Sequence, residues 1–124
     1  MRAELKFLFS SDADPLEDFL PTGPFGIPVM AMIGPVGEQG HESFEFMLCT
    51  PGWFSSNFHE DFKIGRHYLF VRDFDYAQLE KFVQEYCVSC GEAATWAALA
   101  EKLARLGKWE FEDYKQYKAP PPAW

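Results

Sequence analysis

Residues 29–49 constrain the fold of this chain more than any other stretch. Two apolar runs, VMAMIG (29–34) and SFEFMLC (43–49), flank GPVGEQG (34–40), a segment with three glycines and one proline. Turn residues between two strand-like runs fold the second back along the first, so an antiparallel hairpin is expected. The first run carries no polar side chain, which predicts a strand covered on both faces. In the second, Phe44, Phe46 and Leu48 share one side.

Strand character recurs at both ends. ELKFLFS (4–10) alternates, and the period of two places Ala3, Leu5, Phe7 and Phe9 on the buried side of a half-covered strand, with Arg2, Glu4 and Lys6 outside. RHYLFVRDF (66–74) is rich in residues that favour a pleated surface and predicts a further long strand. KWEFEDY (108–114) alternates Trp109 and Phe111 with Glu110 and Glu112, as a final edge strand would. Between the first strand and the hairpin lies SDADPLEDFLPTGPFGIP, with four prolines, two glycines and four acids. It reads as a long loop over Ser10–Pro28, with one short turn at Pro15–Phe19. Loops of such length in small domains are often functional.

Helices are expected in the second half. Asp75 followed by Gln78 resembles a capping box, and Phe74 with Leu79 has the spacing of a hydrophobic staple. Tyr76, Leu79, Phe82, Val83 and Tyr86 then share one face, and Glu80, Lys81, Gln84 and Glu85 the other. In TWAALAEKLARLG (95–107), Thr95 is the expected cap, Trp96, Leu99, Leu103 and Leu106 the buried stripe, and Gly107 the stop. Lys102 and Arg105 lie near the C-terminal end, where cations suit the helix dipole. A short helix over TPGWFSSNF (50–58) starts from Thr50 as cap and Pro51 at the first helical position, and HEDFKIG (59–65) connects it onward. Strands mixed with late helices predict an α+β fold: a single domain with a mostly antiparallel sheet and helices packed on one face. Residues 1–114 are expected to form that domain and residues 115–124 a mobile tail. Trp53, Trp96 and Trp109 are expected in the core.

The chain has 124 residues, 48% of them hydrophobic and 18% aromatic, enough to bury a core and to exclude intrinsic disorder. Nineteen acids oppose 11 bases, a net charge of −8. That balance disfavours a phosphate backbone or an anionic membrane and favours a basic protein partner. The charge is unevenly distributed. From Phe7 to Phe62 there is no Lys or Arg, while nine acids occur: Asp12, Asp14, Glu17, Asp18, Glu38, Glu42, Glu45, Glu60 and Asp61. Acids interleaved with Phe and Trp can form a charged rim around apolar anchors. Asp12, Asp14, Glu17, Asp18, Glu38, Glu42, Glu60 and Asp61 are therefore the candidate partner-binding residues, set against the plainer reading that they solvate loops. No apolar run is long enough to span a membrane, and Glu4 and Lys6 interrupt any leader-like segment, so a cytoplasmic protein is expected.

Motifs for chemistry are sparse. Cys87-Val-Ser-Cys90 falls at the end of its helix, whereas redox thiols sit at a helix N-terminus. A zinc site would need two more ligands; Cys49, His41, His59 and His67 are available but unpaired. No metalloprotease, nucleophile-elbow or glycine-rich phosphate motif is present. No catalytic residue, metal or cofactor is assigned. A metal- or thiol-binding protein using Cys87 and Cys90, with or without Cys49, and a small carboxylate enzyme remain the alternatives.

Three strings carry a family likeness: AMIGPVGEQGHESFEFMLCTPGWF (31–54), GRHYLFVRDFDY (65–76) and TWAALAEKLARLGKWEFEDY (95–114). In their order and spacing the chain resembles the immunity protein 8 family of bacterial polymorphic toxin systems, from the first strand to Tyr114. The resemblance implies a small cytoplasmic protein that binds a toxin encoded beside it and protects the producing cell. Many such toxins are nucleases, whose clefts attract phosphate and tend to be basic; an acidic blocker would exploit the same field. The resemblance carries over no contact residue.

Overall fold

The structure, a computed structural model, describes residues 1–113. It is an α+β domain built on one five-stranded sheet. The elements in chain order are β1 (Ala3–Phe9), β2 (Gly26–Pro35), β3 (Glu42–Cys49), α1 (Pro51–Asn57), β4 (Tyr68–Phe70), α2 (Tyr76–Ser89), α3 (Trp96–Leu103) and β5 (Lys108–Trp109). The hairpin forms as the turn chemistry requires: β2 pairs antiparallel with β3 from Gly26 opposite Cys49 to Ile33 opposite Glu42. β1 lies antiparallel on the other side of β2. The far edge of β3 is shared, with β5 antiparallel beside Phe44 and Glu45 and β4 parallel beside Met47 to Cys49. Three of the four pairings are thus antiparallel. The expected tail, residues 115–124, lies outside the described residues.

The core forms on one side of the sheet. Ile27, Val29, Ala31 and Ile33 of β2 and Phe44, Phe46 and Leu48 of β3 are buried against Leu79, Val83 and Cys87 of α2 and Leu99 and Leu103 of α3. Each of the Val, Leu, Ile and Phe side chains among them contributes about 1.5–3 kcal/mol on full burial. Both helices start as their caps dictate: Asp75 accepts from the Gln78 amide at 3.1 Å and Thr95 from the Ala98 amide at 3.2 Å. Thr50 does the same for α1 and also accepts from the Phe25 amide, tying that helix to the start of β2. The Trp96 indole donates to the Glu42 carboxylate, fixing the start of α3 to the start of β3. α2 also shields the sheet edge, where Gln84 accepts from the Leu5 amide at 2.7 Å.

Tertiary contacts override several local expectations. In β1 the register slips between Leu5 and Phe7, so Lys6 is an extra residue with no partner on β2. A one-residue slip exchanges the two faces of everything beyond it. Leu8 and Ser10 are therefore buried, and Phe7 and Phe9 point outward instead of into the core. Lys6 is held in the bulge by donating to the Glu4 carboxylate and to the carbonyls of Pro35 and Glu38. That contact holds the Glu4 carboxyl below its usual pKa. β2 begins at Gly26, so the preceding loop ends earlier than Pro28. β1 stops opposite Met30, which leaves Pro28 on a free edge that tolerates its missing N–H.

The expected long strand over 66–74 shrinks to three residues, parallel to β3. His67 opens it with φ of 66° and its ring Nε2 on the Ala104 carbonyl; beyond it, Phe74 bends away to pack on Phe19 and Phe25. β5 keeps two residues because the Glu112 amide turns back onto the Trp109 carbonyl. α3 stops at Leu103, where single turns replace the helix and still bury Leu106. In α2, Cys87 takes the buried stripe and Phe82 is exposed. Trp53, Trp96 and Trp109 are half-buried and pack at the margins of the sheet rather than at its centre.

α2 and α3 cover one face. The short α1 instead folds over one end of the opposite, outer face, where the Trp53 ring occupies the space a side chain at Gly26 would need. Met30 and Met32 of β2 lie on that outer face half-exposed, so the strand is covered on one side only.

Gly34 allows the turn backbone to close on the sheet, since a Cβ there would collide with the Gly40 carbonyl. Gly34→Ala is expected to destabilise the domain by about 1–3 kcal/mol through overpacking. Gly23→Ala, which meets open space, is expected to stay within about 0.5 kcal/mol. Urea unfolding midpoints of the two variants check the contrast.

Candidate functional site

The eight candidate acids fall in three groups. Asp12, Asp14, Glu17 and Asp18 are all exposed on the loop after β1. Glu38 and Glu42 lie at the opposite end of the sheet, in and after the β2–β3 turn. Glu60 and Asp61 follow α1. Glu42 is engaged by the Trp96 indole, and Glu60 lies 3.8 Å from Lys63. Glu45 stands exposed on the outer face of β3, in register with Met30 on one side and Lys108 on the other.

The first group is held by packing. Leu16 is buried in the core, and the segment makes one 3-10 turn over Leu16–Asp18. Phe19 packs edge-on against Phe25 and Phe74, with ring centroids 5.4 and 5.1 Å apart. Ser10, buried at the loop's start, accepts from the Asp12 amide. The Phe19–Phe74 contact brings a further set of acids alongside: Asp73 and Asp75 flank Phe74, and Glu80 follows one turn later. The Tyr76 hydroxyl registers this field. Burial first, then Glu80 and Glu17, push its pKa up. Asp73, Asp75 and Glu80 lie outside the base-free stretch, so only the ring contact between distant segments reveals that they belong with it. Arg72 lines both neighbouring clefts together with Asp73.

Two open clefts border this region. One of about 610 Å³ runs between β4 and the start of α2, past Leu69, Phe70, Arg72, Asp73 and Phe82. The other, of about 750 Å³, lies between the Phe19–Phe25 segment and the start of α1. The first contains two carboxylates, Asp73 and Asp75, but Asp75 is engaged in capping α2.

The cysteines are placed for packing. Cys87 and Cys90 are buried on α2 under the inner face, while Cys49 is buried on β3 with the outward register of Gly26 and Phe70. Burial raises the pKa of all three thiols; with a smaller contribution from Cys90, it pushes Cys87 up to about 12. That is the reverse of what activates a thiol. Among the described residues no three His, Cys, Asp or Glu side chains gather into a set that could hold a metal ion, and no helix is long and apolar enough to cross a membrane. His41 packs against Phe7, His67 is engaged by the Ala104 carbonyl and His59 is exposed on the loop after α1.

Fold and surface together define a small acidic α+β domain with its carboxylates displayed on well-anchored loops. The chain belongs to the Immunity protein 8 family, whose family model (Imm8) matches residues 3–114. Membership implies an immunity protein. No curated protein and no solved structure matches the chain.

The buried Cys87 thiol makes stability pH-dependent. Between pH 9.0 and about 12 the unfolded chain loses this proton while the folded chain keeps it. The unfolded state then binds fewer protons, so stability falls as pH rises, by up to about 1.4 kcal/mol per pH unit. Cys87→Ala is expected to flatten that slope, read from urea midpoints between pH 8 and pH 10.5.

Proposed function

We propose that this protein acts in the cytoplasm by binding a cognate toxin of a bacterial polymorphic toxin system and neutralising it sterically and electrostatically. The observation that carries the reading is the acidic surface at the β1–β2 loop, reinforced by Asp73, Asp75 and Glu80 of the adjoining segment, on a chain of the immunity protein 8 family. Inhibition of this kind needs occupation, not turnover. Carboxylates held by Leu16 and Phe19 present a fixed negative field, which draws a basic cleft toward them and raises the association rate. A nuclease cleft must be basic to hold phosphate, so a toxin of that type would be recognised through its own substrate-binding charge.

Two-gene expression tests the proposal. The toxin encoded beside this chain should co-purify with it one-to-one, and growth arrested by that toxin should be restored. Absence of both would refute the reading. Charge reversal at Asp12, Asp14, Glu17 and Asp18 to Lys is expected to slow association by about 10-fold or more at low salt and to weaken its salt dependence. Stopped-flow association at two ionic strengths provides the measurement; an unchanged rate would place the steering charge elsewhere.

A further inference from the structure

We infer that the outer face of the sheet, extended by the loop after α1, is the surface that grips the protein partner, while the acids of the β1–β2 loop only guide its approach. This rests on the reading that the chain binds a protein. Its starting point is the bulge at Lys6. By exchanging the faces of β1, the slip turns Phe7 and Phe9 outward, where they are 45% and 39% exposed. Next to them in register come Met32 and Met30 of β2; further along the same face, Met47 of β3 lies opposite Pro28 and beside Tyr68 of β4. Phe70 completes the far side. Its ring lies 5.4 Å from Phe54 of α1 and 6.1 Å from Tyr68. Methionines between aromatic rings make an adaptable apolar surface.

The loop beyond α1 adds projecting groups. Phe62 is 93% exposed and Ile64 87%. Two large apolar side chains with so little cover contribute almost nothing to folding. The loop adjoins the same aromatic group: Phe58 stacks on Phe54 at 5.5 Å, and the Lys63 ammonium sits 5.8 Å from the Tyr68 ring centre. The opposite face of the sheet is closed by α2 and α3. Other exposed apolar residues, such as Leu20, Val36 and Val88, lie on separate elements, as is usual for single surface hydrophobics.

Charge decides what occupies this face. Apart from β4, β5 and the end of the loop, it is built from the stretch that has no Lys or Arg. Glu45 stands within it, beside Lys108, and Asp61 at its border has no ion pair among the described residues. Of the loop's own cations, Lys63 lies near Glu60 and Arg66 pairs with Glu112 at 2.7 Å. A second copy of the chain would bring −8 against −8, which opposes self-association. The occupant is therefore a protein whose apolar patch is bordered by cations. In this division the acidic loop sets the association rate and the apolar face sets the dissociation rate.

The test uses the full chain and the isolated, catalytically inactivated toxin domain encoded beside it, with rates read by biolayer interferometry. Phe62→Ser with Ile64→Ser, and separately Phe7→Thr, alter exposed side chains; unchanged thermal unfolding checks that the fold is intact. Each variant is expected to weaken Kd by about 10-fold or more, through faster dissociation, with association within about 2-fold. If the unaltered chain binds and both variants keep its Kd within about 2-fold, this inference is overturned while the proposed function stands. If the unaltered chain is a dimer that the variants dissociate, the face is a self-interface and the inference fails. Failure of the unaltered chain to bind removes the parent reading as well.

Discussion

Burial of one face of the β2–β3 hairpin beneath α2 and α3 is the interaction on which the rest of the molecule depends. Phe44, Phe46 and Leu48 meet Ile27, Val29 and Ile33 across the ladder, and Leu79, Val83, Leu99 and Leu103 close over them. Side chains alternate across a strand, so committing these residues to the core commits their neighbours to the other side. Met30, Met32, Glu45 and Met47 therefore face away from the helices. The sheet edges follow from the same scaffold: β1 is bridged to α2 through Gln84, and β4 and β5 share what β3 leaves open.

Loop order derives from that core as well. The β1–β2 loop is polar and proline-rich, yet Leu16 inserts into the core and Phe19 packs on Phe25 and Phe74. The acids it displays are held on a rigid support. Fixed charges lose less conformational freedom on binding than charges on a wandering segment. Placing them beside the start of α2 adds Asp73, Asp75 and Glu80 to the same field. The exposed Phe62 and Ile64 have a different logic: they lie on a loop that contributes little to the core, where apolar area stays available to a partner.

Much of the architecture was legible from residue patterns. The hairpin, the caps at Thr50, Asp75 and Thr95, and the α+β class all follow from local chemistry acting over a few residues. The family likeness was legible too, through strings spread along the chain. Cys87 and Cys90 formed a motif-like pair in the sequence, and all three cysteines are buried. What pattern-reading missed were effects that require distant segments to meet. The alternation of β1 was visible, but not the extra residue at Lys6, because Pro35 and Glu38 supply the carbonyls that hold it. The shortness of β4 was equally hidden, since Phe74 leaves the strand for rings near Phe19. Glu42, one of the candidate partner-binding acids in the sequence, is tied to Trp96.

The sequence by itself determined which segments form strands and helices, where each helix starts, and that residues 7–62 carry acids without Lys or Arg. Those properties depend on neighbours within about one turn or one hairpin. Only the tertiary structure decided which way Phe7 and Phe9 point, which acids lie together, and which face of the sheet stays open. The reason is that strand register and ring packing are set between residues far apart in the chain, and a single unpaired residue in β1 is enough to exchange its inside with its outside.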